Sequence, residues 1–430
     1  MSVSAETAPM PPVRRHWRDR TLWTTVADVF AILTALALPW STSLVAIFIA
    51  LWLCAAIWVM DWRAFGRLLK RPICYLPLAL VGLAVVGTLW SDAERGAQLK
   101  AISPTLKLLV LPVLIYHFER SSRGMWVFIA FLVSCTLLML VSCLVAFDPS
   151  LSLKAPGEPG GGRGIFVKNY IAQSQEFALC AVALIYPIFN LLRSNRIWQA
   201  AALGAVALGF LVNMALVTVS RTAIVTMPIM IGVFALLHLR RRTSLILVGV
   251  MIALGGLVWF ATPDVRWGPQ RMLKDYQQYK SNEHVTSVGQ RLEFWQKSLR
   301  FISEAPVIGH GTGSMRGLFE RAAADQPRDQ VIANPHNQTL NIAVQWGTVG
   351  VVLLYAMWLV HLLLFRGEGL VAWIGLLVVV QNIFTSLFNS HIFDFHEGWM
   401  YVLGAGVAGG MVLQERVRGE AAESIGTVRS

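Results

Sequence analysis

Apolar residues in this chain come in long blocks separated by short polar breaks. Twelve blocks read as membrane-spanning helices, at 23–40, 42–60, 73–90, 104–118, 125–147, 170–192, 197–219, 222–239, 243–261, 346–365, 369–388 and 397–414. A hydrocarbon layer of roughly 30 Å needs about 20 residues of helix, and most of these blocks reach that length. The fourth is short and carries Lys107. Two polar stretches break the rhythm: a Gly- and Pro-rich segment over 148–169 and a longer one over 262–335. Within the second, "SVGQRLEFWQKSLRFISEAP" sets Leu292, Trp295, Leu299 and Ile302 at helical spacing. That spacing predicts an amphipathic helix lying on the membrane-facing rim. The pattern divides the chain into a tail over 1–22, nine spans within 23–261, a loop domain over 262–338, three spans within 339–414 and a second tail over 415–430. The predicted fold class is an all-α polytopic membrane protein of about 12 transmembrane helices with a large helical external loop.

Charge orients these spans. Arginines cluster at alternate helix ends: Arg14, Arg15, Arg18 and Arg20, then Arg63, Arg67 and Arg71, then Arg120 and Arg123, then Arg193 and Arg196. The series continues through Arg240, Arg241 and Arg242 to Arg366, Arg416 and Arg418. Cytoplasmic loops carry such an excess, so both termini are expected in the cytoplasm and both long loops on the opposite face. Function is therefore sought outside.

Composition agrees. The chain is 56% hydrophobic and 14% charged, against roughly a quarter charged in soluble domains. Its net charge of +12 is accounted for by helix-end residues, and no basic stripe marks a nucleic-acid partner. Cys54, Cys74, Cys135, Cys143 and Cys180 all fall in apolar spans without a CxxC pair, which supports neither a disulfide framework nor a zinc site. There is no Asp-x-Asp, HExxH or GxSxG, so no metal is expected. The glycine-rich "PVIGHGTGS" lacks the lysine of a phosphate-binding loop and reads as a turn that packs closely.

A few polar residues stand out against this background. Arg221 interrupts two apolar runs in "LVTVSRTAIVTM". It is either a snorkelling side chain in a tight external turn or a cation facing a wet cavity. Arg291 sits in the amphipathic segment, as a surface charge paired with Glu293 or Glu283 or as an anion ligand. His336 follows Asn334 and Pro335 at the start of an apolar run, with Asn337 beside it. A histidine there is a helix-cap neighbour or a base working near neutral pH. Lys107, Arg163 and Lys168 are further cations on the outer side, each able to meet a phosphate or to snorkel. His391 and His396, in "NSHIFDFHEGW", either pack at the interface with Trp399, the favoured reading, or face the same cavity, and His310 has no evident role.

The spacing His336-Asn337, nine residues, Gly347-Thr-Val-Gly350 resembles the O-antigen ligases. "SRTA" at 220–223, "GQRLEFW" at 289–295 and "PVIGHGTGS" resemble neighbouring elements of the wider ligase and polymerase family, and the resemblance covers about 100–415. It implies a glycosyltransferase of the lipid-carrier-using, GT-C-like class in the bacterial inner membrane, with a periplasmic active site. The implied partners are undecaprenyl-diphosphate-linked O-antigen, lipid A–core oligosaccharide and membrane lipids. The implied reaction is an inverting transfer that makes lipopolysaccharide without metal or cofactor. By the same resemblance His336, Arg221 and Arg291 are catalytic, and Lys168, Arg163, Lys107 and Asn337 bind substrate. O-antigen polymerase and protein O-oligosaccharyltransferase are the nearest alternatives, and a lipid-linked sugar transporter is the alternative of another class.

Overall fold

The computed structural model describes residues 20–154, 163–217, 221–246, 249, 287–322 and 334–429. Regular structure among them is entirely helical: α1 (Arg20–Ala37), α2 (Thr42–Val59), α3 (Trp62–Leu69), α4 (Pro72–Val86), α5 (Arg95–Ile102), α6 (Val110–Phe118), α7 (Gly124–Phe147) and α8 (Tyr170–Ala183). These are followed by α9 (Ile185–Arg193), α10 (Ile197–Leu216), α11 (Arg221–His238), α12 (Ser287–Glu304), α13 (Ser314–Arg321), α14 (Gln338–Leu364), α15 (Leu370–Thr385) and α16 (Phe395–Arg429).

Among the described residues, seven helical stretches are long and apolar enough to cross a membrane, and an eighth forms if α3 and α4, bent by 81°, count as one span. The expected twelve are not all matched. The fourth is a continuous helical stretch over Arg95–Phe118, with a tight 3-10 turn at Ser103–Leu109 between α5 and α6. The eighth and eleventh fall on shorter apolar helices, Val225–His238 and Leu370–Thr385. The twelfth lies in α16. The ninth, 243–261, falls largely outside the described residues. The tenth begins eight residues earlier than expected, because α14 starts at Gln338 rather than at 346.

Helix-on-helix packing builds the core. α1 lies on α2 and α7, α16 on α6 and α15, and α14 on α4, while α8 sits among α10, α11 and α15. Small residues let the α16 and α6 backbones approach closely. A Cβ at Gly410 would come within 2.6 Å of the Ile115 carbonyl oxygen. Buried polar pairs then fix which faces meet. Gln381 donates to the Gln175 carbonyl at 2.8 Å, Trp358 Nε1 to Asn382 Oδ1 at 3.1 Å, and His361 Nδ1 meets the Tyr401 hydroxyl at 2.6 Å.

α12 is the amphipathic helix expected from the sequence, and it has two apolar stripes. Phe294 and Phe301 pack with Met315, Leu318, Phe319 and Val344 in a small satellite core. Leu292 and Leu299 stay exposed.

Candidate functional site

The site is assembled around a break in α14. Gly347 sits at φ 59°, ψ −155° inside the helix, a conformation that glycine adopts without steric cost. Such a break leaves backbone groups without helical partners, and in a buried setting each must find another. The glycine-rich loop supplies them. Thr348 N–H donates to the Pro306 carbonyl at 2.9 Å and Val349 N–H to Val307 at 3.2 Å. In return, His310 N–H donates to Val344 O at 2.9 Å and Gly311 N–H to Gln345 O at 2.8 Å. Thr312 pins the loop to α4: its hydroxyl donates to Ala84 O at 2.6 Å and accepts from Trp346 Nε1 at 2.8 Å. "PVIGHGTGS" is thus a wedge stitched between two helices, as its close-packing reading expected. His310 has a place here, with Nε2 2.8 Å from the Phe301 carbonyl, tying the wedge to α12.

His336 stands one residue before the N-cap of this broken helix. Asn337 caps it, its Oδ1 accepting from Leu340 N–H at 3.0 Å. His336 itself has φ 49°, a left-handed conformation uncommon for a residue with a side chain. Three contacts hold it there. Its N–H donates to Asn334 Oδ1 at 2.9 Å, the Pro335 carbonyl accepts from Trp295 Nε1 at 2.9 Å, and its ring lies 6.3 Å from that of Phe294. α12 therefore positions the histidine directly.

The segment after α15 closes the other side. Gln338 N–H donates to Ser386 O at 2.9 Å, Gln338 Oε1 accepts from Ile392 N–H at 3.0 Å, and Asn341 Nδ2 donates to Ser390 Oγ at 3.2 Å. Asn337 Nδ2 donates to Leu387 O at 3.2 Å. This brings Asn389 Oδ1 to 3.0 Å from His336 Nδ1, and Asn389 Nδ2 to 2.7 Å from Asp394 Oδ2.

Electrostatics follow from burial. The His336 pKa lies below its ordinary value, mainly through burial, with the Arg291 charge adding to the fall and the Asn389 contact opposing it. Asp394 is pushed up to about 6, by burial first and by Glu397 second, against the pull of His391 and Lys107.

The other candidates are placed as follows. Arg291, on α12, is exposed yet near enough to act on His336. Arg221 opens α11, and its side chain lies outside the described part. Lys107 is buried and donates to the Phe393 and Asp394 carbonyls at 3.3 and 2.5 Å, so it touches the His336 side of the molecule through the 389–394 segment. Lys168 is buried too. Its ammonium donates to the Leu38 carbonyl, lies 2.8 Å from His396 Nδ1 and 3.6 Å from Glu176 Oε1. Arg163 is exposed in the segment before α8. Neither His391 nor His396 behaves as a simple interfacial ring. His391 is buried with Nδ1 3.4 Å from Asp394 Oδ2, and His396 meets Lys168.

His391, Asp394 and Glu397 put one nitrogen and two carboxylate oxygens within 4.8 Å of one another, a donor set of the kind a divalent cation takes. Lys107 already brings a positive charge to the same segment. Asn389 escaped the sequence reading. The signal was the polar break "FNSHIFDF" between two apolar runs, which marks an outer loop but not its partner.

Residues 206–355 match the family model described as O-Antigen ligase. The matched stretch runs from the second half of α10 through α11, α12, the wedge and α13 to the break in α14, so it takes in Arg221, Arg291, His336 and Gly347. No curated protein matches the chain.

Proposed function

From the O-antigen ligase family, the assignment this match supports, we propose that the chain transfers O-antigen from undecaprenyl diphosphate to lipid A–core oligosaccharide. That family consists of glycosyl-transfer enzymes of O-antigen assembly, which supports this reading. The observation that carries the finer reading is the placement of His336 at the mouth of the broken helix, where Asn334 and Trp295 hold it and where Trp295 shares α12 with Arg291.

The chemistry needs both. An acceptor sugar hydroxyl attacks the anomeric carbon of the donor as the bond from that carbon to the diphosphate oxygen breaks. Negative charge grows on the departing diphosphate. Arg291, and Arg221 with it, meet that charge with planar forks of donors that stay protonated at any working pH. His336 accepts the hydroxyl proton. Direct displacement inverts the anomeric centre and leaves undecaprenyl diphosphate as the second product. Guanidinium groups thereby take the place that a metal occupies in other phosphate chemistry.

We assign the periplasmic face of the inner membrane to this end of the bundle, with both termini cytoplasmic, from the arginine distribution. On this reading Arg163 is free to meet polar groups of a substrate, while Asn337, whose amide caps α14 and bonds Leu387, shapes the site rather than binding at it. The ammonium groups of Lys107 and Lys168 are held by protein acceptors, and we assign them to the floor of the site. An apolar cavity of about 140 Å³, lined by residues such as Phe128, Leu132, Leu179, Leu370 and Met400, offers room for a short stretch of a lipid chain.

The test is transfer by the purified protein, given undecaprenyl-diphosphate-linked glycan and lipid A–core in the presence of EDTA. Glycan on lipid A–core that survives EDTA supports the reading. Longer lipid-linked glycan instead would make the protein a polymerase, and glycan on an acceptor protein an oligosaccharyltransferase. No product, from folded protein and competent substrates, would favour a transporter.

A further inference from the structure

We infer that Asn389 is a positioning residue for His336, fixing its imidazole with the proton on Nδ1 and leaving Nε2 bare to accept one. The inference rests on the proposed transfer reaction for its consequence, but not for its geometry.

An ionised carboxylate only accepts hydrogen bonds. Asp394 Oδ2 lies 2.7 Å from the Asn389 amide, so the Asn389 NH₂ must face it. The opposite orientation would set the amide oxygen against a carboxylate oxygen. With the NH₂ committed, Asn389 presents Oδ1 to His336 Nδ1 at 3.0 Å. That oxygen only accepts, so the imidazole nitrogen facing it must donate. A neutral imidazole with its hydrogen on Nδ1 has none on Nε2.

The chain is rigid at every link. The 389–394 segment is tied to α14 through Ile392 to Gln338 and through Ser390 to Asn341, at 3.0 and 3.2 Å. His336 is held by its own N–H on Asn334. Lys107 anchors the Asp394 end through its backbone carbonyl. Asn389 is therefore not a residue that happens to lie near the ring. It is the link between a histidine in a strained backbone conformation and a carboxylate whose surroundings are already filled. A partner that orients a histidine commonly changes activity by about 10- to 100-fold when removed.

The experiment pairs kinetics with a direct view of the proton. Full-length protein is labelled with ¹⁵N at histidine, and the His336 signals are identified by their loss in His336→Gln. Wild type should show the Nδ1–H tautomer at neutral pH. Asn389→Ala should lose that preference and lower kcat by about 10- to 100-fold, with KM for the lipid-linked donor within about twofold of wild type. Asn389→Asp keeps an acceptor toward the ring. It should retain the tautomer, with one proton shared between its carboxyl and that of Asp394. An Nε2–H tautomer in wild type overturns the inference. So does an Asn389→Ala variant that keeps the wild-type tautomer or a kcat within twofold. If Asn389→Ala does not fold, the Asn389→Asp tautomer decides, and an Nε2–H signal there overturns the inference. If wild type transfers no glycan to any acceptor, the transfer reading falls while the tautomer still decides the geometry.

Discussion

Gly347 is locked against Val307: a Cβ at 347 would overlap the Val307 carbonyl, whose oxygen accepts the N–H of Val349 at 3.2 Å. The break in α14 and the glycine-rich wedge are therefore one structure. Neither half satisfies its backbone groups without the other.

Gly347→Ala should lower thermal stability in detergent and abolish transfer. A backbone at φ 59°, ψ −155° is open essentially to glycine alone and costs a residue with a side chain about 1–3 kcal/mol, and the overlap adds to that. A melting curve on the purified variant checks it. An unchanged melting temperature would mean that the wedge yields easily.

Thr312 should behave differently. Thr312→Val removes the partner of the buried Trp346 indole N–H and the bond to Ala84. Leaving one buried donor unpaired costs about 1–3 kcal/mol. The variant should melt earlier while keeping kcat close to wild type, because His336 has separate anchors in Asn334 and Trp295. Parallel melting and transfer measurements test this, and a kcat lost without a change in melting would refute it.

These two residues show how far the sequence could be read. The glycine spacing after His336 and the wedge were visible as separate signals, and so was the helical spacing of 287–304. Their joining was not, because a hydrogen bond between Pro306 and Thr348 leaves no periodic trace. Leu292 and Leu299 read as packing positions alongside Trp295, yet Phe294 and Phe301 carry the buried contacts. The apolar blocks gave most helices correctly. Where a span bends or shortens, as at α3–α4 or α15, hydropathy carries no mark of it.

Acid should inactivate the enzyme late. His336 must be neutral to accept a proton, and burial followed by the Arg291 charge holds its pKa below the usual 6.5. As pH falls, kcat/KM should stay level past the point where an ordinary histidine protonates, then drop through the lowered pKa. Arg291→Gln removes one of the two lowering influences, so its acidic limb should move to higher pH, besides any loss of diphosphate binding. A pH–rate profile for both proteins checks the direction. A limb that stays still, or moves down, contradicts the coupling.

Lys107 should act as a strut. Lys107→Met removes the cation from the Phe393 and Asp394 carbonyls and leaves Asp394 and Glu397 without their nearby positive charge. The variant should melt earlier, since two carbonyls lose their donor at about 1–3 kcal/mol each, and KM for the donor should stay within about twofold, since the ammonium is already held by the protein. A large rise in donor KM with unchanged melting would instead make Lys107 a phosphate ligand.

The most direct measurement is single-turnover transfer by His336→Gln, with donor binding followed in the same preparation. Glutamine keeps a polar side chain of similar reach but cannot take up the proton. The account predicts binding close to wild type and a transfer rate lower by about 100-fold or more. A rate within a few fold of wild type would remove His336 from the role of base and leave it a capping-region residue beside the broken helix.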